Sequence, residues 1–156
     1  MKTVETSMDV HVPLSKAYNQ WTQFEQFPMF MRHVEDIKQL DDRQLRWRIR
    51  VGSKTREWES EIVEQIPDKR IAWRATRGAR HAGVVAFYKL DDSSCRLMLQ
   101  LEYDPEGFTE KLASLMGAPR KEIETDLKNF AQFIENRVSE TGAWRGRIPS
   151  NGEATP

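Results

Sequence analysis

The residues of this chain best suited to proton transfer are its three histidines. His11, His33 and His81 are far apart in the sequence and show none of the short spacings typical of zinc sites. His81 lies in a predicted loop, residues 77–83, which we expect near the mouth of a cavity. A histidine there could act as a general base, because its usual pKa lies close to neutral pH. The alternative is a solvated loop histidine, and the sequence predicts no metal site.

In the middle of the chain, two charged residues have the same parity in the sequence as the apolar residues, so their side chains would point to the same face of the sheet. Glu64 has the parity of Trp58 and Ile62, so its carboxylate would face an apolar hollow, where burial would raise its pKa and suit it to acid–base chemistry. It could instead reach water at the strand end. Arg56 has the same inward parity and could pair with an anionic ligand, or extend to solvent at the nearby turn.

Other patterns of catalysis are absent from the sequence. It contains no Gly-x-Ser-x-Gly, His-Glu-x-x-His or phosphate-loop motif. Cys95 is the single cysteine, so neither an intrachain disulfide nor a thiolate metal cluster is expected. Nucleophilic and metal catalysis are therefore not indicated, and the sequence predicts no cofactor.

The aromatic residues are the strongest indication of a ligand. Trp47, Trp58 and Trp73 alternate onto one face of three neighbouring predicted strands. Such residues usually form ordinary core, but a sheet covered by one helix need not fill its concave face, and the hollow would suit a planar or long apolar molecule. The remaining predicted ligand-binding residues are Phe27, Phe30, Met31, Phe87, Tyr103 and Met116.

Composition narrows the class of protein. The 156 residues predict one domain, and 24 basic against 24 acidic residues give a net charge of zero, which argues against a nucleic-acid partner or a polybasic membrane anchor. No apolar run approaches the roughly 20 residues that span a bilayer, and the first nine residues lack the apolar stretch of a signal peptide. We therefore expect a cytoplasmic protein without stable membrane insertion, in an unknown oligomeric state.

The predicted elements begin with a strand and two short helices interrupted at Pro28. Strands over about residues 34–103 and a helix over about residues 108–138 follow. Two-residue turns at Gly52-Ser53 and Pro67-Asp68 predict the register of three strands. The facing pairs would include Trp47 with Trp58, Arg48 with Glu57, Arg46 with Glu59, Ile62 with Trp73 and Ile66 with Lys69. Tryptophans would then lie on one face and ion pairs on the other.

Over about residues 2–138 the chain resembles the SRPBCC or START-like helix-grip superfamily. The segments that carry the resemblance are VETSMDVHVP, SKAYNQWTQFEQFPMFM, REWESEIVEQIPDKRIAWR and GVVAFYKLDDSSCRLMLQLEY. Polyketide cyclase/dehydrase-like domains are the most similar, alongside coenzyme Q-binding proteins. The resemblance implies an α+β fold in which a seven-stranded antiparallel sheet wraps around a long C-terminal helix, with two short helices after the first strand. It implies no obligatory cofactor.

The resemblance also implies a class of function. Members bind lipids, sterols, polyketides or quinones, so we expect a hydrophobic small-molecule ligand in an internal cavity, with the protein as carrier, chaperone or sensor. A cyclase, aromatase or dehydratase acting in the same cavity is one alternative, and an interaction module with a filled core is another. Residues 1–138 would form the domain. Residues 139–156 would form a polar tail that is either flexible or docked on the domain.

Overall fold

One antiparallel sheet and one long helix dominate the computed structural model, which describes residues 2–51, 53–77, 80–103 and 119–150. Within these ranges seven strands pair in the order β1-β7-β6-β5-β4-β3-β2. The strands are β1 (Lys2–Val10), β2 (Val34–Gln39), β3 (Gln44–Val51), β4 (Lys54–Ile66), β5 (Arg70–Arg77), β6 (His81–Asp91) and β7 (Ser94–Tyr103). The helices are α1 (Leu14–Trp21), a 3₁₀ helix (Phe24–Met29) and α2 (Pro119–Glu135). The predicted helix-grip α+β fold is confirmed.

The core lies between the inner face of the sheet and the helices. Leu97 on β7 and Val85 on β6 are fully buried, because every second residue of a strand faces inward. Helix α2 places Leu127, Phe130 and Ile134 in the same core through a stripe of helical period. The part of the closing helix predicted around residues 108–116 lies outside the described residues. No helix in the described ranges has the length and apolarity needed to cross a bilayer.

The predicted register of β3 and β4 is confirmed. Trp47 faces Trp58 and Arg48 faces Glu57. On the outer face, Arg48 Nη2 lies 3.0 Å from Glu57 Oε1, with both side chains about half exposed. Such surface pairs contribute only about 0–1 kcal/mol each. The tryptophans on the opposite face therefore contribute more to the stability of this hairpin than the ion pairs do.

The predicted register of β4 and β5 is wrong at the turn. Ile62 faces Trp73 as expected, but Ile66 pairs with Arg70 rather than with Lys69. The turn has three residues, and Asp68 adopts a left-handed conformation at φ 63°, which aspartate tolerates better than most residues. A register shift between Ile62 and Glu64 absorbs the extra residue.

This bulge reverses the faces of the last residues of β4. Glu64 turns away from the interior and forms an ion pair with Arg70. Gln65 points inward instead, is 1% exposed, and donates from Nε2 to the Tyr18 hydroxyl at 3.1 Å. The expectation that Glu64 faces an apolar hollow is therefore wrong, since one inserted residue exchanges the two sides of a strand.

Residues 139–150 pack against α1 and the end of β4. The Ile148 side chain is fully buried, and its backbone exchanges hydrogen bonds with Gln65 at 2.8 and 2.9 Å. Thr141 is bonded through its backbone N–H and its hydroxyl to the Gln20 side chain, at 2.8 and 2.9 Å. Residues 139–150 are therefore docked on the domain, which was one of the two alternatives for the tail. The domain boundary at residue 138 stays a prediction.

We expect Ile148→Ala to destabilise the whole domain, because it opens a cavity in the core and loosens the docked segment. The expected loss in the free energy of unfolding is about 2–4 kcal/mol, measured by urea denaturation. Val138→Ala is the control, since the Val138 side chain is fully exposed and its truncation should change stability by less than about 0.5 kcal/mol. Equal effects of the two substitutions would contradict the packing described for the segment.

Candidate ligand-binding cavity

A cavity of about 170 Å³ lies between the inner face of the sheet, the two short helices and α2. Its described wall is apolar except for three titratable side chains, His33, His81 and Asp126. Four of the five tryptophans of the chain contribute to it. An apolar hollow with a few polar groups is the usual form of a small-molecule site.

Six of the predicted ligand-binding residues line this cavity. They are Phe27, Met31, Trp47, Trp58, Trp73 and His81. His81 is the first residue of β6 rather than part of a loop, and it is only 7% exposed. Its inward position follows from the alternation of the strand, since His81 lies four residues before the fully buried Val85.

Five of the predicted residues lie elsewhere. Arg56 is exposed, as the solvent-directed alternative supposed, and Glu64 is bound to Arg70 on the outer face. Three aromatic residues are buried but do not belong to the described cavity wall, namely Phe30, Phe87 and Tyr103. Phe30 packs on Phe130 and Phe133, and Phe87 packs on Tyr18 and Trp21. Met116 lies outside the described residues.

Two stacked indoles form one wall of the cavity. The ring centroids of Trp47 and Trp58 are 5.9 Å apart and the ring planes are inclined by 15°, as their facing positions on β3 and β4 allow. Phe27 of the 3₁₀ helix meets Trp47 at 5.9 Å in an edge-to-face arrangement. Trp47 Nε1 donates to Ser60 Oγ at 2.9 Å, so the indole N–H has a partner and the ring is held in place.

Trp73 lies close against the neighbouring strand at Gly83. The two residues face each other on β5 and β6. A Cβ atom added at Gly83 would come within 2.4 Å of Trp73 Cζ2. Only glycine therefore admits this position of the indole, and the pair determines how far Trp73 extends into the cavity.

Asp126 brings a carboxyl group to the cavity wall. It lies on α2 between Ile123 and Leu127, which also line the cavity. Burial raises the pKa of Asp126 to about 6 from a usual value of 3.8, and the nearby carboxylate of Glu122 adds to the rise. A hydrogen bond from the backbone N–H of Arg32, at 3.4 Å, opposes it. The group can therefore exchange a proton close to physiological pH.

His33 lies next to this carboxyl group at the start of β2. Its Nε2 is 3.3 Å from Glu122 Oε2, and the same oxygen accepts a hydrogen bond from Arg32 Nη2 at 2.6 Å. His33 and Asp126 on the cavity wall are therefore linked to Arg32 and Glu122, which do not belong to the described wall. In the described part of the chain, no group of three or more His, Cys, Asp or Glu side chains could hold a metal ion.

Sequence reasoning missed Asp126 and most of the aliphatic wall. The further lining residues are Trp21, Phe24, His33, Val34, Leu45, Ile49, Ile62, Ile71, Leu99, Leu101, Ile123, Asp126 and Leu127. One signal was present for Asp126. It lies three residues after Ile123 and four before Phe130, so it interrupts the apolar stripe of the closing helix. A carboxylate in such a stripe is a candidate for a buried functional group.

The raised pKa of Asp126 predicts a pH-dependent stability. The folded state holds this proton more tightly than the unfolded chain, so stability should fall as pH rises from about 4 to about 6. The expected fall is about 2–3 kcal/mol. Asp126→Asn should remove it, whereas Asp42→Asn, at an exposed position, should not. Urea denaturation across this pH range measures the slope, and equal slopes in both variants would contradict a buried Asp126.

Comparison of the sequence with known proteins identifies the family. A family model described as "Polyketide cyclase / dehydrase and lipid transport" matches residues 10–132. A protein of Streptomyces lincolnensis, described as an uncharacterized 17.2 kDa protein in the melC2-rnhH intergenic region, is 46% identical over 149 residues, which cover 95% of this chain and 99% of the relative.

Solved structures of low sequence identity share the fold. The Zhui aromatase/cyclase from Streptomyces sp. R1128 is 17% identical, with a TM-score of 0.72 over 92% of this chain and 99% of that one. A START superfamily protein from Mycobacterium smegmatis is 14% identical, with a TM-score of 0.70 over 85% of this chain and 97% of that one. With its sheet, its closing helix and the match over residues 10–132, the chain belongs to the polyketide cyclase/dehydrase and lipid transport family.

Proposed function

We propose that this protein binds an apolar small molecule in the cavity between its sheet and its helices. The observation that carries the proposal is an unfilled hollow lined by four indole rings. Burial of apolar ligand surface would supply most of the affinity, at about 25 cal/mol per Å². The three titratable residues of the wall would orient the ligand. The protein would then act as a carrier, chaperone or sensor, and the resemblance to its superfamily suggests polyketides, lipids and quinone-like molecules as the classes of ligand to test.

The alternative of an interaction module with a filled core has less support. In such a protein the inner face of the sheet would be packed by its own side chains. Here Trp47 and Trp73 remain partly exposed, and both lie on the cavity wall. The description of the family model, which names lipid transport, also favours a bound small molecule.

Intrinsic fluorescence provides a test, because four tryptophans surround the proposed site. Naphthalene, palmitic acid and menadione are titrated into the protein as an aromatic, a lipid and a quinone probe. We expect saturable quenching by at least one of them. Leu101→Phe should weaken that binding about tenfold or more by filling the cavity, since overpacking typically costs 1–3 kcal/mol.

Leu90→Phe is the matched control for this substitution. It makes the same change at an exposed leucine of β6, so its binding should equal that of the original protein. Absence of saturable quenching by all three probes would contradict the proposal. Equal affinities of the two phenylalanine variants would also contradict it, since binding would then lie outside the cavity.

A second candidate function is acid–base catalysis in the same cavity. The observation that favours it is the position of Asp126 and His33, which line one end of the hollow and interact electrostatically. Loss of water from a β-hydroxy ketone needs such groups. A base removes the proton next to the carbonyl, an acid protonates the leaving hydroxyl, and a carbon–carbon double bond forms as water departs. Positioning by the apolar wall would add to the rate.

A one-ring model substrate tests the catalytic candidate. The aldol adduct of benzaldehyde and acetone loses water to form benzylideneacetone, whose conjugated absorbance is easily followed. Catalysis by Asp126 predicts acceleration over buffer and a loss of about 100-fold or more in Asp126→Asn. Asp42→Asn is again the control. A rate equal to that of buffer, or an unchanged rate in Asp126→Asn, would leave ligand binding as the function and remove this candidate.

A further inference from the structure

The volume of the cavity limits how much of a ligand it can enclose. At about 170 Å³, it is smaller than the roughly 300–1,000 Å³ of pockets that hold drug-sized ligands. An engineered apolar cavity of about 150 Å³ in another protein holds benzene. The cavity described here therefore has room for one aromatic ring with small substituents, whereas a long acyl chain or a polycyclic molecule would have to extend beyond it.

The aromatic rings of the wall favour an aromatic occupant. Trp47 and Trp58 stack on each other with their planes inclined by 15°, and Trp73 lies close against Gly83 of β6. Phe27 already meets Trp47 edge to face. A ligand ring that met these indoles edge to face or in an offset stack would gain the contacts that aromatic pairs prefer.

One acceptor on the wall is available to a ligand. In the described part of the chain, the hydrogen bond that Asp126 accepts from protein is the one from Arg32 N, at 3.4 Å. The cationic and imidazole groups beside it are directed to Glu122, with Arg32 Nη2 at 2.6 Å and His33 Nε2 at 3.3 Å. The Asp126 carboxyl group therefore keeps acceptor capacity at the edge of an apolar space, where one ligand donor would satisfy it.

A hydroxyl group matches Asp126 better than an ammonium group does. A buried ammonium ion loses its hydration at a large cost. The site already disfavours the charged form of Asp126, because burial raises the pKa of this carboxyl group to about 6. A hydroxyl group is neutral. It donates to the carboxylate and accepts from the carboxylic acid, so it satisfies Asp126 in both protonation states.

We propose that the ligand is a neutral one-ring aromatic molecule bearing a hydroxyl group. Its ring lies against the indoles of Trp47, Trp58 and Trp73, and its hydroxyl donates to the Asp126 carboxylate. This inference rests on the ligand-binding function proposed above and names the class of ligand for that site.

Calorimetric titration with three probes tests the class. The probes are p-cresol, p-xylene, in which a methyl group replaces the hydroxyl, and palmitic acid. We expect p-cresol to bind at least about tenfold more tightly than p-xylene at pH 7.5, as one hydrogen bond to a charged group provides. Palmitic acid should not compete with p-cresol.

Two variants test the role of Asp126. Asp126→Leu should abolish the preference for p-cresol and retain the binding of p-xylene. Glu124→Leu, at an exposed position of α2, should leave the affinities for both probes unchanged.

The outcomes separate this inference from the function on which it rests. Palmitic acid that binds in place of p-cresol would overturn the ligand class and leave apolar binding intact. Equal affinities for p-cresol and p-xylene in the original protein would overturn the role of the hydroxyl, whether or not Asp126→Leu folds. A preference for p-cresol that survives in Asp126→Leu would overturn the role of Asp126. If no probe binds in the calorimeter and none of the three fluorescence probes causes saturable quenching, both proposals are overturned.

Discussion

Antiparallel pairing of β3, β4 and β5 decides which side chains face the cavity. Their alternation places Trp47, Trp58 and Trp73 on the inner face and arginine–glutamate pairs on the outer one. A shift of one residue would exchange the two faces and put indoles in water. The register therefore determines both the stability of the hairpins and the chemistry of the hollow. The helices contribute the remaining residues of the wall.

The sequence predicts this register where the turn allows only one solution. A two-residue connection between Val51 and Lys54 fixes every pair of β3 and β4. The sequence Pro67-Asp68-Lys69 is compatible with a turn of two or three residues, and the choice depends on Asp68 accepting a left-handed backbone. The error for Glu64 follows from that single choice, because the bulge that accommodates the third residue reverses the end of β4.

The strand tryptophans of the candidate site were predictable, whereas the predicted Phe30, Phe87 and Tyr103 are buried elsewhere and Asp126 and His33 were missed. Tryptophans on strands are assigned to a face by parity alone. The position of Asp126 depends on how α2 is rotated against the sheet, and that of His33 depends on where β2 begins, neither of which a local pattern determines. The contact of Trp73 with Gly83 is likewise invisible in the sequence, since it needs the pairing of β5 with β6. The sequence thus predicts an aromatic hollow, whereas the positions of Asp126 and His33 depend on tertiary packing.

Methyl nuclear magnetic resonance tests directly whether a small aromatic molecule enters this cavity, because it reports which side chains the molecule contacts. Labelled isoleucine and leucine methyl groups are observed while p-cresol is added. We expect changes in the methyl chemical shifts of Ile71, Leu99 and Ile123, which line the cavity, and none at Leu40 and Leu90, which are exposed. Shifts confined to exposed leucines, or the absence of any shift at saturating p-cresol, would contradict it.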